Sequence, residues 1–87
     1  MTLRIERRDS GQSAVLHLIG ELRSQDVKSL SAQIADAPFP VILDLAELSV
    51  VDLTAVRFLL DCQSRGINIV NCQPYIREWM KREKEKE

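Results

Sequence analysis

The 87-residue sequence predicts a single small α/β domain that contains a four-stranded mixed sheet and elements in the order ββαβαβα. Segments with the two-residue periodicity of strands alternate with segments of helical periodicity, and two strand-like segments at the start are separated only by a turn. Alternating strands and helices favour parallel pairs joined by right-handed crossovers, and the opening hairpin adds an antiparallel edge. At about 100–200 residues per domain, residues 1–87 form one domain.

The opening hairpin is predicted from residues 2–8, where Leu3 and Ile5 alternate with polar neighbours, and from residues 13–19, which are typical of a second strand. The Asp-Ser-Gly-Gln segment between them is typical of a turn, because Asp and Ser bond nearby backbone and Gly accepts positive φ. Gly20 is predicted to end the second strand.

The first helix is predicted over residues 24–36, with Ser24 as its cap. Its apolar stripe consists of Val27, Leu30, Ile34 and Ala35. Pro38 and Pro40 stop this helix. The next strand, residues 41–45, begins with three consecutive apolar residues and is therefore predicted to be central and buried on both faces.

The second half of the chain carries clear helix-boundary signals. Asp52 is a predicted cap for a helix over residues 53–64, and Gly66 follows where a left-handed residue is commonly needed. Residues 67–70 form a short last strand. Pro74 suits the first turn of a final helix that runs to the early eighties.

The final helix is predicted to dock on the sheet through four residues, with self-association or partner binding as the alternative. These are Tyr75, Ile76, Trp79 and Met80. The charged end from about residue 81 to 87 mixes both signs at i, i+4 spacing, which is typical of a solvated helix end.

Composition favours a binding module over an enzyme. Twelve Lys and Arg against thirteen Asp and Glu leave a net charge of −1, which lacks the basic excess of a nucleic-acid-binding protein. No apolar run approaches the ~18 residues of a membrane span, and the charged N-terminus predicts a cytoplasmic protein without a secretory signal. So short a chain buries only about 60–65% of its unfolded surface, leaving little room for a deep catalytic pocket.

Residues 41–60, VILDLAELSVVDLTAVRFLL, resemble the STAS domain family, which is typified by bacterial anti-sigma factor antagonists. In that family an apolar strand ends in Asp-Leu, and a further Asp precedes the helix; Asp44 and Asp52 match these positions. Residues 18–22 and 66–71 resemble two further family segments, so the resemblance covers about residues 13–80.

The resemblance implies a STAS-like sheet with helices packed mainly on one face. It also implies a non-catalytic, protein-binding regulator of transcription that binds an anti-sigma factor or switch-type kinase and needs no cofactor. Two alternatives stay open: a small STAS subunit that holds the ATPase of a lipid-transport ABC complex, and a nucleotide-binding domain. Against the second, the three glycines are isolated and form no phosphate-binding loop.

One departure from the family pattern concerns phosphorylation. In phospho-switched members, the residue directly after this Asp is a phosphorylated serine, whereas here it is Leu53. Thr54 matches the next Ser/Thr position, and Ala55 stands where the family often has Gly. We therefore expect no phospho-switch at residue 53; phosphorylation of Thr54 is the alternative to a helix-start threonine bonding the backbone.

Helical spacing over residues 53–64 separates a predicted sheet-facing side from an outward side. The sheet-facing side comprises Leu53, Ala55, Val56, Leu59, Leu60 and Cys62. Phe58 falls on the outward side, where a role in partner contact and a role in packing on a neighbouring element are both open. The predicted partner-binding residues are Asp52, Leu53, Thr54, Arg57, Phe58 and Asp61.

The remaining chemistry-bearing residues have ordinary structural interpretations. Asp44 and Asp52 could form an acid/base pair, but a strand-end Asp and a helix cap are favoured. His17 is interpreted as a polar strand position rather than a ligand or base. Cys62 and Cys72 are predicted to be inert thiols, and with His17 they are too few for a four-ligand zinc site. No catalytic residue or metal site is predicted.

Overall fold

The computed structural model describes residues 3–9, 11–37 and 40–86. Its elements are β1 (Leu3–Asp9), β2 (Ala14–Leu22), α1 (Ser24–Asp36), β3 (Val41–Val51), α2 (Leu53–Ser64), β4 (Asn68–Val70) and α3 (Pro74–Glu85). The strands lie in the order β1-β2-β3-β4; β1 is antiparallel to β2, and the other two pairs are parallel. The predicted ββαβαβα order and mixed sheet are confirmed. Thr2 of the predicted first strand, Ser10 of the turn and Pro38 lie outside the described residues.

The core lies between one face of the sheet and the three helices. Alternate residues of β2 and β3 point to this face, and each helix contributes apolar side chains to it. The fully buried members include Leu16, Leu18, Leu43, Leu45, Leu30, Val56, Leu59 and Ile76. The predicted packing of helices on one face of the sheet is thereby confirmed.

None of the helices in the described part of the chain covers the opposite face of the sheet, which corrects one prediction about β3. The strand is central, but Ile42 and Asp44 on the second face are only half-buried. A run of apolar residues therefore did not indicate burial on both faces. The strand also continues from Val41 to Val51 rather than ending at residue 45, so Asp44 is mid-strand.

Gly20 does not end β2, as the sequence predicted, because the strand runs through it to Leu22. Gly20 has φ +100°, and the register with β3 shifts between Gly20 and Glu21. The extra residue at this shift is Ser49 of β3, opposite Gly20, and an irregularity of this kind alters the pairing without ending the strand. Gly20 therefore marks an irregular pairing inside a longer strand rather than the end of that strand.

Three of the residues predicted to mark helix boundaries are confirmed in that role. Asp52 caps α2, Gly66 follows α2 with φ +87°, and Pro74 is the first residue of α3. The exception is Ser24, which is the first residue of α1 rather than its cap. Arg23 occupies the cap position, and its backbone N–H donates to the Asp26 carboxylate over 3.0 Å.

The final helix docks as predicted, although unevenly. Ile76 and Met80 are buried, Trp79 is half-buried against the core, and Tyr75 remains 49% exposed. The Tyr75 hydroxyl donates to the Ser49 carbonyl, which ties the start of α3 to β3.

The charged end of α3 is not wholly solvated, contrary to the prediction. Glu83 is only 7% exposed, and its carboxylate lies 3.6 Å from Arg57 of α2 and 3.1 Å from Lys86. Packing of α3 against α2 turns one face of this segment inward, so a pattern of mixed charges did not reveal the buried position. On the exposed side of the same helix, Glu78 and Arg82 form an i, i+4 pair that spans 4.0 Å.

Candidate partner-binding site

Asp52 joins the N-termini of two helices. Its Oδ1 accepts the Ala55 N–H of α2 over 2.9 Å, and its Oδ2 accepts the Ser24 N–H of α1 over 2.8 Å. Both N–H groups belong to first turns, which lack partners within their helix and carry the positive end of the helix dipole. One carboxylate therefore sets the relative position of the starts of α1 and α2.

The two helices joined by Asp52 border a shallow groove of about 690 Å³. Thr54, Phe58 and Asp61 line it from α2, at the i, i+4, i+7 spacing that places them along one helix face. The wall from α1 carries mainly small side chains, including Ser31 and Ala32. We call this the α1–α2 groove.

Phe58 sits in the α1–α2 groove and also packs against the core, so its burial is intermediate. The sequence placed it on the outward side of α2. The small side chains of α1 leave part of the ring accessible while the rest is covered. The two interpretations of Phe58, partner contact and packing on a neighbouring element, are thus compatible in one position.

The structure does not gather all six predicted binding residues into one surface. Arg57 lies on the α3 side of α2, beside Glu83, and Leu53 is 40% exposed instead of facing the sheet. Asp61 lines the α1–α2 groove and pairs with Arg65 over 3.1 Å. The α1–α2 groove therefore unites Thr54, Phe58 and Asp61, whereas Arg57 lies outside it.

The position after the helix cap is accessible but carries no hydroxyl. Leu53 is exposed there, and the neighbouring Thr54 is also exposed. Contrary to the expectation of a backbone bond, the Thr54 hydroxyl makes no hydrogen bond to any residue that the structure describes. Thr54 is one of the residues that line the α1–α2 groove.

A second polar cluster lies on the open face of the sheet, centred on Asp44. Its Oδ2 lies 3.2 Å from His17 Nδ1, and its Oδ1 accepts hydrogen bonds from the Ala46 N–H (3.0 Å) and the Asn71 amide (3.2 Å). Burial raises the pKa of Asp44, but these two hydrogen bonds and the nearby His17 outweigh it and hold the pKa below its ordinary value. His17 is thus a polar strand residue, as predicted, with a defined carboxylate partner.

The two carboxylates that could have formed an acid/base pair serve different structures. Asp52 binds helix N–H groups, and Asp44 binds groups on the strands and after β4. Both thiols are free; burial raises the pKa of Cys62, which is fully buried, and of Cys72, which is half-buried. Within residues 3–9, 11–37 and 40–86 no three His, Cys, Asp or Glu residues are placed to share a metal ion.

Sequence reasoning missed Asn71, which orders Asp44, and Glu83, which faces α2. Asn71 has φ +56°, a conformation that Asn adopts more readily than most residues, so its position just after a strand was a usable signal. Nothing local marks Glu83, because its partner lies on another helix. None of the helices in the described part of the chain combines the length and apolar character needed to cross a bilayer.

The fold is that of a small STAS-type domain: a mixed four-stranded sheet with helices on one face and a capped helix following the long central strand. The anti-sigma factor antagonist SpoIIAA in its unphosphorylated form superposes with a TM-score of 0.68 at 21% identity, over 92% of this chain and 82% of that one. An antisigma-factor antagonist STAS domain from Rhodobacter sphaeroides gives a TM-score of 0.54 at 20% identity, over 80% of this chain and 85% of that one.

A further solved structure with a SpoIIAA-like fold, from Shewanella loihica, gives a TM-score of 0.57 at 18% identity, over 92% and 74% of the two chains. The structure of Mglu gives a TM-score of 0.60 at 21% identity over 74% of this chain. The matched part is only 18% of the Mglu chain. No protein-family model and no curated protein sequence matches. These similarities confirm the predicted STAS-like fold.

Proposed function

We propose that this domain is a non-catalytic regulator that binds a protein partner through the α1–α2 groove and the start of α2, in the manner of an anti-sigma factor antagonist. The observation that carries the proposal is the placement of Phe58, an accessible aromatic ring between the polar side chains of Thr54 and Asp61. A partly apolar centre with a polar rim is the usual composition of a binding patch. The resemblance of residues 41–60 to the STAS family indicates the start of the same helix, and SpoIIAA, an anti-sigma factor antagonist, shares the fold.

The partner is an anti-sigma factor or a switch-type kinase, and binding is constitutive. A phosphate added after Asp52 would introduce about −1.5 to −2 charges beside an existing carboxylate and switch binding off. Leu53 occupies that position and cannot accept phosphate. Complex formation is then controlled by the abundance of the two proteins.

The test is affinity capture from the native host, followed by identification of the bound protein and calorimetry with the purified partner. Phe58→Ala is expected to weaken binding by about 1–3 kcal/mol, because a partly buried aromatic at the centre of a patch is lost. Tyr75→Ala is the matched control: it removes an exposed aromatic from α3, away from the groove, and should leave affinity unchanged.

Because Phe58 also packs on the core, Phe58→Ala should lower the free energy of unfolding by about 1–2 kcal/mol, less than the cost of truncating a fully buried ring. Affinities are therefore compared well below the melting temperature of both variants. Equal affinities for Phe58→Ala and wild type would move the site off the groove. Capture of an ABC ATPase instead would favour the transport-subunit alternative.

A further inference from the structure

A second groove lies on the other side of α2, between α2, β4 and α3. It has a volume of about 290 Å³ and an apolar floor that includes Leu60, Ile69 and Cys72. These three side chains are half-buried, so they pack against the core and still present surface to solvent. We call this the α2–α3 groove.

The rim of the α2–α3 groove is cationic. Arg77, Lys81 and Lys84 line it from α3 at i, i+4, i+7 spacing, and no carboxylate lines it within the described residues. The Arg77 guanidinium donates to the Cys72 carbonyl over 3.2 Å, and neither lysine has a salt bridge within the part of the chain that the structure describes. Three positive charges thus stand together on a chain whose net charge is −1.

The α2–α3 groove continues into a second cavity of about 290 Å³ farther along α2, and Leu60 and Lys84 line both. Asp61 lines this second cavity but not the α2–α3 groove, and its carboxylate pairs with Arg65 over 3.1 Å. The surface is therefore an extended channel beside α3 rather than one closed pocket.

The spacing of the charges indicates the kind of occupant. Arg77 and Lys84 are seven positions apart on the helix, which corresponds to about 10 Å along the axis at 1.5 Å per residue. A single anionic group would bridge two neighbouring cations, whose Cβ atoms lie about 5–6 Å apart at this spacing, and would leave the third unpaired. An amphipathic helix with acidic side chains on consecutive turns would meet all three, while its apolar side chains cover the floor.

We propose that the α2–α3 groove binds an acidic amphipathic helix of a partner protein. The interaction combines burial of Leu60 and its neighbours with charge complementarity along α3. The proposal does not depend on the proposed function, because it concerns the opposite side of α2 from Phe58 and the α1–α2 groove.

The probe is a fluorescein-labelled synthetic helical peptide with Leu on one face and Glu on the other; its control carries Gln in place of every Glu. Fluorescence anisotropy should show binding of the Glu peptide that weakens as salt is added, because exposed charge pairs are screened. The Gln peptide should bind at least about tenfold more weakly.

The charge-reversed variant Lys81→Glu/Lys84→Glu should bind the Glu peptide at least about tenfold more weakly than wild type. Its matched control, Arg8→Glu/Arg82→Glu, changes net charge by the same amount at exposed positions outside the groove and should bind like wild type. Leu60→Gln tests the floor and should also weaken binding. Phe58→Ala should leave peptide affinity unchanged, which separates this test from that of the proposed function.

Cys72 supplies a readout inside the groove. Bound peptide should slow its alkylation by iodoacetamide, and the fully buried Cys62 serves as the unreactive reference. The proposal is overturned if the Glu peptide does not bind, or if both charge-reversed variants bind it equally.

Two other occupants would also overturn the proposal. One is an anionic lipid surface, which is indicated if phosphatidylglycerol vesicles bind through Lys81 and Lys84 while the peptide does not. The other is a second copy of this chain, shown by a wild-type dimer in sedimentation equilibrium that Lys81→Glu/Lys84→Glu dissociates.

Discussion

The carboxylate of Asp52 accepts the backbone N–H of Ser24 over 2.8 Å, although 28 residues separate them. The same carboxylate caps its own helix through Ala55. The residue that begins the candidate site is therefore also the link between the two helices that border the α1–α2 groove. This double role makes Asp52 important for the geometry of the groove, whether or not a partner touches it.

Asp52→Ala should lower the free energy of unfolding by about 2 kcal/mol, the upper end of the range for lost helix caps, because two helix starts lose their acceptor. Ser24→Ala is the matched control and should cost less than about 0.5 kcal/mol, since only the backbone of Ser24 takes part. Urea denaturation measures both. Equal losses for the two variants would mean that the Ser24 hydroxyl caps α1, as the sequence alone suggested.

Asp44 should contribute to acid sensitivity. Its pKa in the folded state lies below the ordinary value, so its ionised form stabilises the fold at pH values above the unfolded pKa of about 3.9. That contribution is lost as pH falls through the lower folded pKa. Asp44→Asn should therefore reduce stability at pH 7 and flatten its decline below about pH 4.

Urea denaturation at a series of pH values measures this effect of Asp44. Glu47→Gln, at an exposed position on the same strand, is the control and should retain the wild-type pH profile. An unchanged pH profile in Asp44→Asn would show that its contacts to His17 and Asn71 do not favour the ionised form.

Leu53→Ser should restore a phosphorylation site. Leu53 is 40% exposed directly after the cap, so a serine hydroxyl there would be accessible to a kinase. Incubation of the variant with the captured kinase and ATP should add one phosphate, located by mass spectrometry, and should weaken the complex. Wild type is the control and should stay unmodified; phosphate on its Thr54 would show that the switch has moved by one residue.

Truncation of the docking residues of α3 should lower the free energy of unfolding, and more so for the more deeply buried residues. Ile76→Ala should lower it by about 2–5 kcal/mol, because Ile76 is a fully buried aliphatic residue. Trp79→Ala should lose about 3 kcal/mol, the lower end for a large aromatic, because part of the ring is exposed. Thermal melts and Trp79 fluorescence measure this; a melt of Ile76→Ala that matches wild type would show that α3 is not docked in solution.

Local chemistry explains which features were predictable. The cap that Asp52 provides to α2 and the roles of Gly66 and Pro74 depend only on residues within one helical turn, so the sequence alone identified them. The bond from Ser24 to Asp52 joins distant segments and was not identified in this way. The order of strands and helices follows in the same way from the periodicity of apolar residues. The STAS-like resemblance of residues 41–60 then indicated the fold and the start of α2.

Contacts between distant segments decided the rest. A glycine such as Gly20 is compatible with the end of a strand and with an irregularity inside one. Only its pairing register with β3 distinguished these two possibilities. The exposure of Leu53, the half-burial of Phe58 and the burial of Glu83 depend on where α1 and α3 lie against α2. Helical periodicity assigns a residue to a face of its own helix, but a neighbouring helix determines whether that face is a groove, a contact or open surface.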